Sequence, residues 1–149
     1  MSQTVVPQVH VRCGFCLTLN RVSMDRAGDR PKCGKCQRPI LMDRPLKVGP
    51  DDFQKTVLES QVPVLVDFYA DWCAPCRMLA PHLDRVAAAG VGRLLVAKVD
   101  SDRAPELSQR FGIRGLPTVV LFRNGAEADR VVGMDPAGIQ RLGTAGQGG

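Results

Sequence analysis

Aromatic side chains are scarce in this chain: five phenylalanines, one tryptophan and one tyrosine among 149 residues. A packed interior must therefore rely on aliphatic side chains, and an apolar fraction of 44% supplies enough of them to exclude disorder as a description of the whole. Also missing is any apolar run near the roughly 18 residues that a membrane-spanning helix needs. The N-terminus lacks the basic-then-apolar order of a signal peptide. These absences lead to the expectation of a cytoplasmic protein with no membrane partner.

Negative charge is short in one region only. Residues 1–46 hold eight Lys or Arg against three Asp or Glu, while residues 47–149 hold twelve of each, so the formal charge of +5 sits in the N-terminal third. Such an excess points to an acidic partner such as nucleic acid. Four thiolates on one Zn²⁺ would remove about two of those charges. The segment also offers only Phe15 for base stacking and no basic recognition helix. Nucleic acid is therefore not the expected partner.

All six cysteines fall into three Cys-x-x-Cys pairs, which in a reducing compartment read as metal or redox sites rather than structural staples. Cys13-Gly-Phe-Cys16 and Cys33-Gly-Lys-Cys36 are separated by sixteen residues, the spacing of a structural zinc site. Each pair closes a tight knuckle, and two knuckles complete a tetrahedral shell of four thiolates. Gly14 and Gly34 are expected to permit the turn. Segment 9–43 has too few apolar residues for a core of its own, so metal binding, worth about 10–16 kcal/mol, is expected to hold it together. Two disulfides or free thiols are the alternative. A closed shell leaves no open position for hydrolytic chemistry, and His10, three residues before Cys13, reads as a surface residue. Oxidation that expels the metal would make the site a redox sensor.

Short alternating runs at Val9–Arg12 and Leu17–Asn20, with a polar stretch at 25–31, predict two small hairpins. The pattern changes after Pro45, which divides the chain into a zinc ribbon at 1–45 and an α/β domain at 46–149. The second part predicts a helix over 50–61, a strand buried on both faces over 62–70, and a helix over about 73–89 with Pro81 as a kink. A strand at 94–99, a short helix at 105–111 and a strand at 118–122 follow. An Asn124-Gly125 turn, a strand at about 127–132, a weak helix over 135–142 and a frayed end complete the chain.

Asp71-Trp-Cys-Ala-Pro-Cys76 sits where the buried strand hands over to a helix. Cys73 is thus expected at a helix N-terminus, where unpaired N–H groups and the macrodipole favour its thiolate. Cys76, one turn further in, can attack a mixed disulfide at Cys73, and the spacing lets the pair close a disulfide. Asp67 is the single charge inside an apolar strand. Desolvation there raises a carboxyl pKa, so the group can exchange a proton near neutrality. His82 reads as part of a solvated helix face, and Met78 and Leu79 as packing residues.

Val66-Asp-Phe-Tyr-Ala-Asp-Trp-Cys-Ala-Pro-Cys76 resembles the active-site strand and turn of the thioredoxin family, and Gly115-Leu-Pro-Thr118 resembles its cis-proline loop. The ribbon joined to such a domain resembles the zinc-containing branch of that family. The resemblance spans roughly residues 46–142 and implies a thioredoxin fold, a central mixed sheet flanked by helices, with protein-disulfide reductase activity. It implies Cys73 as nucleophile, Cys76 as resolving cysteine, Asp67 as the carboxylate that helps deprotonate Cys76, and Lys98 as a neighbour of Asp67. The bland reading of Lys98 is a snorkelling strand-end lysine. By the same resemblance Trp72, Ala74, Pro75, Pro117 and Gly133 meet substrate. One structural zinc and no bound organic cofactor are implied, with NADPH used indirectly through a thioredoxin reductase. The implied partners are disulfide-containing client proteins, and the implied state is a monomer.

Two positions depart from that pattern. Ala74 stands where the family usually has Gly, and the dipeptide between the cysteines tunes the reduction potential, so a less reducing isomerase or oxidant stays open beside the reductase. Tyr69 stands where thioredoxins usually carry a second Trp. A third reading makes the ribbon the working part of a binding adaptor.

Overall fold

The computed structural model describes residues 6–148. Residues 1–5 and 149, the outermost ends of the two expected units, lie outside the described residues. In chain order come β1 (Gln8–Arg12), β2 (Leu19–Ser23), a 3-10 helix at Met24–Asp29, β3 (Leu46–Lys47) and a π-helical stretch at Gln54–Leu58. Then follow β4 (Val64–Tyr69), α1 (Ala74–Ala89), β5 (Leu95–Asp100), α2 (Pro105–Arg110), β6 (Thr118–Arg123), β7 (Ala126–Val132) and α3 (Pro136–Gly148). No helix among the described residues is long and apolar enough to cross a membrane.

β4 is the centre of a five-stranded mixed sheet in the order β3-β5-β4-β6-β7. It runs parallel to β5 and antiparallel to β6, which buries both of its faces and explains why its sequence is apolar without alternation. Val64, Val66 and Phe68 face one layer with Ala97, Val99, Val120 and Phe122. Leu65 faces the other, with Val96, Val119 and Leu121 against Leu79, Leu83 and Val86 of α1 and Ile139 and Leu142 of α3. The few aromatics are concentrated: Phe53, Phe68, Phe111 and Phe122 meet in the first layer, with Phe53–Phe111 centroids 5.4 Å apart and Phe111–Phe122 5.1 Å apart. Such pairs add about 0.5–1.5 kcal/mol each beyond their buried area.

The N-terminal segment shares that first layer. Val9, Val11, Val22, Met24, Ile40 and Met42 are buried in the same apolar cluster as Phe53, Val57 and Val66. Polar ties reinforce the seam: the Gln8 amide donates to Gln61 Oε1 at 2.7 Å, and Arg12 Nε meets Asp52 Oδ2 at 3.1 Å. The segment is therefore held by a common core as well as by its cysteines. Of the two expected hairpins, β1 and β2 form a regular antiparallel pair. The second reduces to one bridge between Lys32 and Pro39, because Pro31 and Pro39 bring no N–H to a ladder.

Two expectations are corrected and one element is added. The helix expected over 50–61 is a turn followed by the short π-helical stretch. The β3 strand, two residues long, was too short to leave a periodic signal. α3 continues to Gly148 instead of fraying after residue 142, because its glycines let it lie close on the sheet and α1. A Cβ on Gly143 would stand 2.7 Å from Val86 Cγ1, and one on Gly146 would stand 2.8 Å from Leu94 Cδ1. Gly143→Val is accordingly expected to lower unfolding free energy by about 2 kcal/mol in a urea titration; an unchanged midpoint would show that α3 does not dock as described.

Candidate redox site and cysteine cluster

The redox turn follows directly from the end of β4. Asp71 and Trp72 lie outside the strand, and Cys73 caps α1 in extended conformation, its Sγ accepting the Cys76 amide at 3.3 Å. Pro75 fits the first turn because a proline there removes an N–H that the helix leaves unpaired anyway. Cys73 and Cys76 form a disulfide with Cα atoms 5.3 Å apart. Both are nearly buried and pack with Ala70, Tyr69 and Leu116. Ala74 and Pro75 are exposed at the rim.

The other residues singled out in the sequence surround this turn unequally. Trp72 is 69% exposed, and its indole N–H donates to Asp102 Oδ2 at 2.9 Å. Asp102 carried no sequence signal, being thirty residues away in a turn. Pro117 is buried and follows a cis peptide bond. Its carbonyl accepts the Gly133 amide at 2.8 Å, and Gly133 has a φ of +88°, a region that glycine enters without cost. Leu116, the residue before Pro117, packs against Cys73 and Cys76, so the hydrogen-bonded Pro117 and Gly133 lie beside the turn that carries Trp72, Ala74 and Pro75.

Asp67 lies on the face of β4 that meets α1, two residues beyond Leu65 and nearer the redox turn. It is 1% exposed, and neither carboxylate oxygen has a hydrogen-bond partner among the described residues. Burial pushes its pKa up to about 7, against a smaller opposing pull from the Lys98 charge. Lys98 stands directly opposite Asp67 on β5. Its ammonium rests over the Tyr69 ring, 4.5 Å from the centroid, and makes no ion pair with Asp67 among the described residues. Tyr69 therefore holds the nearest cation to one side of the acid. His82 contacts only Arg85 of the same helix among the polar groups described.

The four remaining cysteines converge at the other end of the N-terminal segment. Cys13 and Cys36 sulfurs lie 3.6 Å apart, Cys16 and Cys33 3.5 Å apart, and all four lie within 4.8 Å of one another. A tetrahedral metal with bonds near 2.3 Å spaces its sulfurs by about 3.8 Å, so the donor set and its spacing suit a metal ion. Amide donors support it: Phe15 N–H reaches Cys13 Sγ, and Lys35 N–H reaches Cys33 Sγ, each at 3.4 Å. His10 is half-buried and outside the cluster. The glycines do not make the tight reversal. Leu17 and Gln37, each following the second cysteine of its pair, take the left-handed conformation with φ of 66° and 67°. Their amides return to Cys13 and Cys33 carbonyls. A side chain at such a position costs roughly 1–2 kcal/mol.

A family model described as Thioredoxin matches residues 44–142. The chain belongs to the thioredoxin family. A second model, described as Thioredoxin 2, N-terminal, matches residues 12–38, which contain the four clustered cysteines. Thioredoxin C-3 of Corynebacterium nephridii is 36% identical over 81% of this chain and 83% of that protein. Thioredoxin 1 of a Nostoc species is 44% identical over 64% of this chain and 89% of that protein. Among solved structures, the thioredoxin of Malassezia sympodialis superposes with a TM-score of 0.65 at 32% identity, covering 72% of this chain and 96% of that one. A mutant thioredoxin from Halobacterium salinarum gives 0.64 at 37% identity, with 71% and 93% covered. The mixed sheet with flanking helices is thus a thioredoxin fold preceded by a zinc-ribbon region, and the chain is a thiol–disulfide oxidoreductase of thioredoxin type.

The state of Asp67 links this thioredoxin site to stability. Its folded pKa of about 7 exceeds the value near 4 of an unfolded aspartate. Between those values the native state keeps a proton that the unfolded chain has lost, so the stability that Asp67 contributes is full below about pH 4 and is lost as pH rises toward 7. Asp67→Asn removes that slope, whose full height is about 4 kcal/mol. Urea unfolding at about pH 5 and about pH 8 should show the difference in the parent protein and not in the variant. A parent protein equally stable at both would contradict the buried, unpaired carboxyl.

Proposed function

We propose that the chain is a cytoplasmic protein-disulfide reductase, with residues 1–45 as a ribbon bearing one structural zinc and residues 46–149 as the redox domain. The observation that carries this reading is the Cys73–Cys76 pair at the handover from β4 to α1, with the unpartnered carboxyl of Asp67 on the buried face beneath. In the reducing direction, Cys73 thiolate attacks one sulfur of a client disulfide. A mixed disulfide forms, and the first client thiolate leaves and is protonated. Cys76 then loses its proton to Asp67 and attacks the Cys73 sulfur. The second client thiol is released and Cys73–Cys76 closes, so two electrons pass from the dithiol to the client. A separate thioredoxin reductase drawing on NADPH restores the dithiol, which leaves no organic cofactor bound here and lets the chain work as a monomer.

Burial supports the proton step, since a carboxyl at about 7 accepts and returns a proton at cytoplasmic pH. Lys98, held on Tyr69, biases that acid without neutralising it. Trp72, Ala74, Pro75, Pro117 and Gly133 are the proposed client contacts, chosen because they frame the disulfide. Cys13, Cys16, Cys33 and Cys36 hold the zinc, which supplies cross-linking of the two knuckles and no open position for substrate.

The potential of the Cys73–Cys76 pair, measured on the whole protein against a glutathione buffer by trapping only that pair, is expected near −270 mV. A value near −180 mV would move the reading to an isomerase or oxidant, the outcome that Ala74 leaves open. For the metal, Cys33→Ser is expected to abolish a bound zinc present at one per chain, while the five-stranded sheet persists because the core is shared. Complete unfolding on metal loss would contradict the shared core, and an unchanged zinc content would remove the zinc assignment.

A further inference from the structure

On the β3 side of the redox turn lies a cleft of about 640 Å³ between the first cysteine knuckle and the thioredoxin sheet. Tyr69, Lys98 and Asp100 line it from the sheet, Asp71 from the redox turn, Arg103 from the following loop, and Arg12 and Leu17 from the knuckle. We infer that this cleft receives the client polypeptide flanking the disulfide exchanged at Cys73, with Leu17 as its anchoring side chain. The inference rests on the reductase reading and adds a client-binding surface built from the ribbon.

Leu17 carries the argument. It is 63% exposed yet held at a φ of 66°, its amide bound to Cys13 O and its carbonyl accepting Arg12 at 2.6 Å. Glycine would occupy that position at lower cost, and a bulky apolar side chain that is 63% exposed gains little from burial in the isolated chain. The second knuckle repeats the backbone, and there the equivalent residue is the polar Gln37, which does not line the cleft. Phe15, the neighbouring exposed apolar residue, has one face stacked by the Arg38 guanidinium at 4.7 Å and does not line this cleft. Leu17 is left open toward the cleft.

Continuity with the redox turn selects the occupant. Asp71, which lines the cleft, immediately precedes Trp72, and Trp72's tether Asp102 lies in sequence between Asp100 and Arg103, both of which line the same cleft. A polypeptide joined to Cys73 must leave the disulfide across this surface or across the Pro117 side. The charges largely cancel: Arg12 is paired with Asp52 and Arg103 with Asp100. Lys47 and Lys98 are matched in number by Asp51 and Asp71 on the same lining. A wall without one dominant sign suits the mixed polarity of a peptide better than a small anion.

The test compares insulin, a protein disulfide, with hydroxyethyl disulfide, which is too small to reach Leu17 from Cys73. Full-length, zinc-loaded Leu17→Gly, Leu17→Asp and Leu17→Met are used, glycine being the residue that relaxes the knuckle. Leu17→Gly and Leu17→Asp should lower kcat/KM for insulin roughly three- to tenfold. Leu17→Met should stay near the parent value, and the small disulfide should react at an unchanged rate in all three. Insulin rates within twofold of the parent in Leu17→Asp would overturn the inference. So would a parallel fall for both substrates, or a parent dimer that Leu17→Asp dissociates, which would give the surface to a second copy. A parent protein that reduces neither disulfide would instead sink the reductase reading beneath it.

Discussion

An aspartate buried without a hydrogen-bond partner is expensive to ionise, and Asp67 occupies such a position inside the strand on which the whole sheet is centred. Its cost is carried by the apolar packing around it, from Leu65 and Val119 on its own face to the phenylalanine cluster on the opposite one. What that packing yields is an acid with its pKa raised to about 7, on the strand that leads into the turn bearing the two cysteines. The same strand determines where the turn falls. β4 ends at Tyr69, so the chain must reverse within a few residues, and Cys73 arrives at the first free N–H groups of α1. Cys73, Cys76 and Asp67, to which the proposed exchange assigns the roles of nucleophile, resolving thiol and proton acceptor, thus share one structural origin.

The N-terminal segment joins this arrangement through packing rather than as a separate bead. Its β-strands close over the layer that contains Phe53 and Val57, and Arg12, next to the first metal-site cysteine, is pinned to the buried Asp52. Asp52 in turn accepts from the Gly49 amide, and the neighbouring Val48 amide bonds Lys98 O. The segment beside the first cysteine is therefore linked by a short path of ion pair and hydrogen bonds to β5, the strand that neighbours β4. That path accompanies a cleft lined both by Leu17 of the first knuckle and by Asp71 of the redox turn, the surface proposed above for the client.

Much of this was legible in the sequence where physics acts locally. The apolar run of β4, broken only by Asp67, the turn chemistry at Asn124-Gly125 and the placement of Cys73-Ala-Pro-Cys76 after a buried strand each need only neighbours in the chain. The cysteine spacing announced a metal-type cluster for the same reason. What was not legible depends on distant partners. Nothing near Trp72 names Asp102 as its tether, and no periodicity marks a two-residue β3 that exists only because β5 offers it an edge. Glycines 143 and 146 read as a weak helix end because the close approach they permit involves Val86 and Leu94, far off in sequence. The knuckle turn was assigned to Gly14 and Gly34 on propensity, whereas hydrogen bonding back to the first cysteine of each pair places the left-handed residue after the second.

The most direct test of the account is the titration of Asp67 itself, followed by the carboxyl carbon resonance of selectively labelled protein in its disulfide form and assigned with Asp67→Asn. The account predicts a midpoint near 7, with burial as the cause. A midpoint near 4, the value of an exposed aspartate, would mean that the carboxyl is solvated or paired, and the proton step proposed for Cys76 would lose its acceptor.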